Sequence, residues 1–393
     1  MTRSRVALLF ALGIDNFGSG LFLPLALVFV TRVVGLPLGL AGTAVTVGTV
    51  AGLLVPPLAG RLADAVGPRA VVIAAQLFQA LGAVTYLYAD GFTAVVVAAL
   101  LLASGQQLFY CCLFVLIADV AGDVPKDRPF AEAGMVRAGA FGLGGLTAGA
   151  LLTLVGPTGF KLVVLADAGT FLLAALVLAV AVRTVVPHVR AVAAPAHVWR
   201  NRPYLRLILL SGLFGLALDF FLIGTPVFVL DQLHEPAWLP GAILALLTVL
   251  TSLGGTIALH ATRKLSRIGA MRAGSALFAA WCLVSLGVFL VPPGWRPAYL
   301  LLATLVMAAG DLVFGPRAGA LAEAAAPVDA RGRYLAAFQY AFTAAQVLAP
   351  AVVALFSVAV WIPWVLVGGC AAGAAVGLGR LGPRLPAHAV TPL

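Results

Sequence analysis

Apolar stretches of roughly twenty to thirty residues, set apart by short polar intervals, follow one another along the whole chain. A membrane-crossing helix needs about 20 apolar residues. Twelve stretches qualify, at about 6–33, 38–58, 69–89, 92–120, 132–155, 160–183, 204–230, 239–261, 271–291, 297–323, 334–357 and 361–380. Most intervals allow only a tight reversal, so neighbours in sequence are antiparallel neighbours in space. The longest interval, 184–203, carries Arg190, Arg200 and Arg202 among Pro187, Pro195 and Pro203, and reads as a linker. The pattern therefore predicts an all-α, polytopic membrane protein with two six-helix bundles, 1–185 and 204–393, joined by a cytoplasmic linker at 186–203. The two Arg residues before the first apolar run imitate a signal peptide, but the run continues to about Val34, which is too long for one.

Composition agrees. Of 393 residues, 62% are hydrophobic and 10% charged, against about 45–50% apolar in ordinary domains. The formal charge of +10 would suit nucleic acid, but the charges fall between apolar runs and form no patch, so no nucleic-acid partner is expected. They set orientation instead. With both termini in the cytoplasm, only Arg32, Lys161 and Arg296 of the 24 Lys and Arg fall on the outer side. Arg137 and Arg317 lie within spans, and the remaining nineteen occupy cytoplasmic loops and tails, as the positive-inside rule requires. Cys111, Cys112, Cys282 and Cys370 lie inside apolar runs without metal-type spacing, and the five His are scattered. No metal site, cofactor or enzymatic constellation is expected.

The two halves repeat. Asp15 and Asp219 are 204 residues apart, as are Asp119 and Glu323, while Pro24 and Pro226, like Gly67 and Gly269, are 202 apart. In the second copy Ser266 stands where the first has Asp64.

The stretch Gly60-Arg61-Leu62-Ala63-Asp64-Ala65-Val66-Gly67-Pro68-Arg69 organises the first half. Pro and Gly enforce a reversal there, and Arg61 and Arg69 hold it on the cytoplasmic side. It resembles the signature loop between helices 2 and 3 of the major facilitator superfamily, with Gly60, Leu62, Asp64, Gly67 and Arg69 matching. That resemblance covers nearly the whole chain. It implies two bundles with substrate near mid-bilayer between them, and a conformational gate built on Gly60, Asp64, Gly67, Arg69, Asp119 and Arg137. Arg137 is placed to meet Asp119 or Asp64.

Charges inside a bilayer cost about 2.5–3.5 kcal/mol each on insertion scales and so mark partners or aqueous paths. Asp15, nine residues into the first span, lies about 14 Å deep, and Asp219 is similarly deep in the seventh. They are the candidate proton-coupling acids, with Asp311 next. Asp311 and Arg317 are spaced to pair across turns or with other helices, and Asp167 in the sixth span reads as a structural hydrogen-bonding residue. Asn16, Phe17, Gln106, Gln107, Tyr110, Arg317, Gln339, Tyr340 and Gln346 are candidates to line a cavity, though each alone is more often a helix–helix contact.

The fifth span, Gly139 to Ala150, is Gly-rich, and Gly145-x-x-x-Gly149 has the spacing of a close helix contact. It resembles the fifth-helix motif of drug/proton antiporters, but Leu146 stands where that motif has Pro, and no Arg precedes Gly105 as the antiporter pattern requires. Leu165–Leu173 is similar to the sixth helix of macrolide- and siderophore-type exporters. The resemblance implies proton-coupled export of amphipathic small molecules, with protons and the lipid bilayer as partners, the proton gradient as energy source, and a monomer in the cytoplasmic membrane. Uptake or facilitated diffusion of a polar metabolite, or a transporter-like sensor, are the alternatives.

Overall fold

A computed structural model describes residues 3–121, 127–182, 198–327 and 331–390. Most of the expected linker (183–197) lies outside these residues. Among them the chain is helical throughout, with no strand. Ten helices are long and apolar enough to cross a membrane, and two shorter apolar helices, Leu38–Val50 and Leu239–Gly255, fill the second and eighth places. We number the spans α1 (Arg3–Val34), α2 (38–66), α3 (Pro68–Leu87), α4 (Phe92–Ala121), α5 (Asp127–Val155), α6 (Thr158–Ala181), α7 (Arg202–Gln232), α8 (Leu239–Ala261), α9 (Arg267–Leu286), α10 (Arg296–Ala324), α11 (Arg331–Ala354) and α12 (Trp361–Leu381). The expected all-α fold of twelve spans is the one observed.

By contact the chain divides into two units, Met1–Ala191 with Pro226–Thr248, and Val192–Thr225 with Val249–Leu393. In the first, small residues set the spacing, because helices in lipid associate through close packing. A methyl group on Gly82 would lie 2.7 Å from the Leu102 nitrogen, and one on Gly48 would lie 2.6 Å from the Ala99 side chain, so α3 and α2 lie directly against α4. The Gly-rich face of α5 behaves as its spacing predicted. Gly145 meets Leu244, Gly149 meets the Trp238 backbone, and a methyl on Gly241 would sit 2.5 Å from the Gly145 carbonyl oxygen.

The second unit is packed around aromatic rings. Phe214 and Phe314 stack at 3.5 Å between centroids, and Phe220, Phe278, Trp281 and Trp364 interlock edge to face beside them. All six are nearly inaccessible.

One sequence expectation needs correction. The stretch 60–69 is not a loop. After a 3-10 turn at Ala51–Leu54, Pro56 and Pro57 enter the first turn of a new α-helix, Val55–Val66, where a missing N–H costs nothing. That helix carries Gly60, Arg61 and Asp64 as part of α2. The reversal is confined to Gly67, whose φ of 84° is open to glycine and strained for other residues, with Pro68 starting α3 at once.

Candidate functional site

A polar cluster lies inside the first unit, where α1, α3 and α6 meet. Asp15 and Asn16 sit in the middle of α1, and both are buried. The Asn16 amide donates to the Leu12 carbonyl and to Asp15 Oδ2, each at 2.9 Å. Across the interface, Gln76 of α3 donates to Asp15 Oδ1 at 2.7 Å. Gln76 is 0% exposed and Gln79, one turn on, is 5% exposed. Asp167 of α6 is 1% exposed, and its Oδ1 has no hydrogen-bond partner; Gln76 Oε1 and Gln79 Nε2 are likewise unsatisfied. Gly18 lets α6 approach: a methyl group there would meet Asp167 Oδ1 at 2.8 Å and collide with Thr170. Thr170 donates to the Asp167 carbonyl at 2.7 Å.

Arg137 lies in α5, which packs against α1. It does not meet Asp119 as expected. Its Nη2 donates to the Tyr110 hydroxyl at 3.0 Å, and its guanidinium lies over the Tyr110 ring, 5.1 Å from the centroid, and near Phe109. An aromatic face holds a guanidinium at little desolvation cost, and Tyr110 is about two and a half helical turns from Asp119 along α4. Asp119 lies in the last turn of α4. The side chains of Gly60, Arg61 and Asp64 lie outside the described residues, so the expected Asp64 contact is untouched by these observations. Arg69 is explicit. Its Nε donates to the Leu178 carbonyl at 3.0 Å and its Nη2 to that of Ala179. It caps the C-terminal end of α6, where a cation is favoured.

Asp219 is half-buried in α7 and Asp311 half-buried in α10. The Asp311–Arg317 pair is not formed; Arg5–Glu132 and Arg32–Asp231 are ion pairs that the described residues do form. A six-residue separation turns the two side chains about 120° apart around a helix, off a common face. Phe17, Gln106 and Gln107 are half-buried, whereas Gln339 and Tyr340 are exposed.

The Arg32–Asp231 pair escaped the sequence reading. Arg32 Nε donates to Asp231 Oδ1 and Nη2 to the Leu230 carbonyl, both at 2.8 Å. These residues are 199 apart, and the landmarks around them recur at that spacing or one residue from it. Val28-Phe29-Val30 matches Val227-Phe228-Val229, and both runs enter a π-helical turn. Gly35 and His234 both have positive φ. Leu36 N donates to Val30 O at 3.2 Å, and Glu235 N to Val229 O at 3.0 Å. Pro37 and Pro236 follow. Counted from this common end, Asp15 lies fifteen residues before Val30 but Asp219 only ten before Val229. The two acids therefore differ by about 7 Å along their helices and do not occupy matching positions, contrary to the 204-residue spacing.

The second unit holds an apolar hollow of about 270 Å³ between α7 and α11, lined by Trp199, Leu205, Leu209, Leu213, Leu216 and Tyr340 among others. A second cavity of about 270 Å³, in the first unit, is lined by Arg32, Phe160 and Leu230.

A family model described as Major Facilitator Superfamily matches residues 8–350. No curated protein matches the sequence. Solved structures with a similar fold include a bacterial metal transporter (15% identity, TM-score 0.73, covering 98% of this chain and 100% of that one). A peptide transporter in complex with sulfate is also similar (16%, 0.74, 98% and 95%), as is a nucleoside transporter (12%, 0.79, 96% and 99%). At such identities the likeness shows the fold.

Proposed function

The chain belongs to the Major Facilitator Superfamily, and on that premise we propose that it is a proton-coupled exporter of amphipathic small molecules working by alternating access. That it is a multi-pass membrane protein of transporter type follows from its family and its spans. The export reading is carried by the hollow between α7 and α11. Its walls are Leu, Ile, Ala and Gly with one Trp and one Tyr hydroxyl, and Tyr340 is the one polar side chain. Such a surface gains about 25 cal/mol for each Å² of apolar substrate it removes from water and offers little to a zwitterionic or strongly hydrated solute.

The coupling acids of this reading are Asp15, Asp219 and Asp311. Asp15 is favoured because it is buried and already engaged by Gln76. A proton and a cationic substrate that compete for one carboxylate weaken each other's binding by the same factor, and that reciprocity drives exchange. Asp64, Arg69, Asp119 and Arg137 belong to the gate in this reading. The support for it is that Arg69 fastens the start of α3 to the end of α6. Both termini face the cytoplasm.

The test is transport in liposomes under an imposed proton gradient, with tetraphenylphosphonium and ethidium as amphipathic probes and a dipeptide and a nucleoside as polar ones. Gradient-dependent accumulation of the amphipathic probes, lost in Asp15→Asn, is expected. Movement of a polar probe alone would replace this reading with uptake or facilitated diffusion of a metabolite.

A further inference from the structure

We propose that Asp15 and Asp167 form a proton-binding dyad within the first unit, holding one exchangeable proton between α1 and α6. This deepens the proton-coupled reading above and rests on it only for its use in transport. It replaces a lone coupling acid in α1 by a pair, and gives a role to a residue that the sequence marks as merely structural.

The argument begins with what is unsatisfied. Buried polar groups are almost always hydrogen-bonded, and a carboxylate oxygen without a partner in a dry site is among the costliest exceptions. Asp167 Oδ1 is such an oxygen, on a side chain 1% exposed. It points at α1, since a methyl group on Gly18 would lie 2.8 Å from it. Gln76, which grips Asp15 from α3, also has an unsatisfied oxygen. The cluster therefore has two unpartnered acceptors, Asp167 Oδ1 and Gln76 Oε1, against one unpartnered amide donor, Gln79 Nε2, so acceptors are in excess. A proton on one carboxyl group converts an acceptor into a donor and removes one of two like charges.

The charges facing the cluster can be named element by element. α1 supplies Asp15 and the neutral Asn16; α3 supplies the amides Gln76 and Gln79; α6 supplies Asp167 and Thr170; α5 supplies Arg137. Asp15 lies three residues before Gly18 on α1, so its carboxyl shares the helix face that meets Asp167. Two carboxylates and one arginine, itself held on the Tyr110 side, leave the cluster one positive charge short.

A proton fits this deficit better than a metal ion. Hard cations need six or more oxygen ligands or retained waters. Here the unpartnered oxygen is packed so closely against Gly18 that there is no room for a methyl group. A proton needs only a transient water file to enter and leave. In the step itself, a hydronium or water O–H bond breaks as the carboxyl O–H bond forms, and the reverse step returns the proton to water. With the proton bound, α1 and α6 can lie in contact at Gly18. Without it, two like charges face each other across that contact and favour its opening or hydration.

The experiment is an infrared titration of the carboxyl stretching bands in the purified, detergent-solubilised protein, without substrate, for the parent, Asp15→Asn and Asp167→Asn. Coupled acids titrate as a pair. Each variant should therefore change the proton affinity of the acid that remains by about tenfold or more, and by the same factor from either side. Titrations that stay within about twofold of the parent's would overturn the dyad, and so would bands that respond to Mn²⁺ or Na⁺ at fixed pH. If an Asn variant fails to fold, Gly18→Ala offers a second readout, because it displaces the Asp167 carboxyl without removing either acid and should alter the parent titration. The result is independent of the export reading, since no substrate is involved. Conversely, gradient-driven transport that persists in Asp167→Asn with the parent's pH response would leave coupling to Asp15, Asp219 or Asp311 and remove the dyad from it.

Discussion

The Arg32–Asp231 pair can be tested by exchange. Its residues occupy equivalent places in two helix ends that share a π turn, a residue of positive φ and a following Pro. Arg32→Asp with Asp231→Arg should rebuild the pair in mirror image, with the exchanged Arg reaching the carbonyl of Thr31 as Arg32 now reaches that of Leu230. The side chains are 42% and 19% exposed, so solvent screens the attraction. An ion pair of this exposure is worth about 0.2–1 kcal/mol, and the added bond to a backbone carbonyl about 1 kcal/mol more. Either Ala substitution should therefore cost between about 0.5 and 2 kcal/mol in holding the ends together, a factor of roughly 2 to 30 in the closed-to-open ratio. The assay is reaction of an impermeant thiol reagent with a cysteine at Leu36 or Glu235, read as a rate, in the two single variants and the exchange double. Rates should rise in Arg32→Asp and Asp231→Arg and return most of the way in the double. If the effects of the two changes simply add, the pair contributes nothing and the reasoning fails.

Other expectations follow from the same contacts. Arg69→Ala removes two bonds to the end of α6 and should lower the thermal midpoint, by about 1–2 kcal/mol in stability, while Arg69→Lys recovers only part of this. Phe214→Ala opens a void beside Phe314 and Phe278 and should cost about 3–5 kcal/mol, measured by denaturant unfolding. Gly241→Val drives a side chain into the Gly145 carbonyl and should either destabilise the protein by about 1–3 kcal/mol or shift the cysteine accessibility at Leu36 and Glu235 described above. Impermeant labelling of single cysteines at Gly294 and Ser266 in intact cells should modify the first and spare the second; the opposite result would invert the membrane orientation.

Much of the architecture is visible in the apolar pattern, because a bilayer leaves the backbone few alternatives to helix. The spans are set by length and hydropathy, and the close contact at Gly145 and Gly149 by spacing alone. The turn at Gly67 was harder to read. Gly60, Pro56 and Pro57 look like breakers, yet Pro is harmless in a first helical turn, so the helix runs on to Val66. The site was half legible. Asp15 stands out as a charge in an apolar run, but its partners do not. Gln76 and Gln79 are three apart on α3 and share a face, a usable signal in an otherwise apolar span. Nothing in the sequence says that this face meets α1. Position counting misled for Asp15 and Asp219, because the repeats carry insertions upstream of the segments that align at 199. The Arg32–Asp231 pair joins positions distant in sequence, and only its repeated flanks could have suggested it.

The joint between α2 and α3 has a consequence for how the chain enters a bilayer. One residue, Gly67, separates the end of the Val55–Val66 helix from Pro68. Twenty-nine helical residues precede it in α2, a rod of about 43 Å against a hydrocarbon core of about 30 Å. No slack exists for α2 to settle across the membrane and wait while α3 is still being made. With so short a joint the two are expected to leave the translocation machinery together, as a preformed hairpin whose tip carries Arg61 and Arg69. Lengthening that tip by even a few flexible residues would free the arms to insert one at a time. The damage would then show in the yield of correctly inserted protein before it showed in the stability of any molecule that had folded.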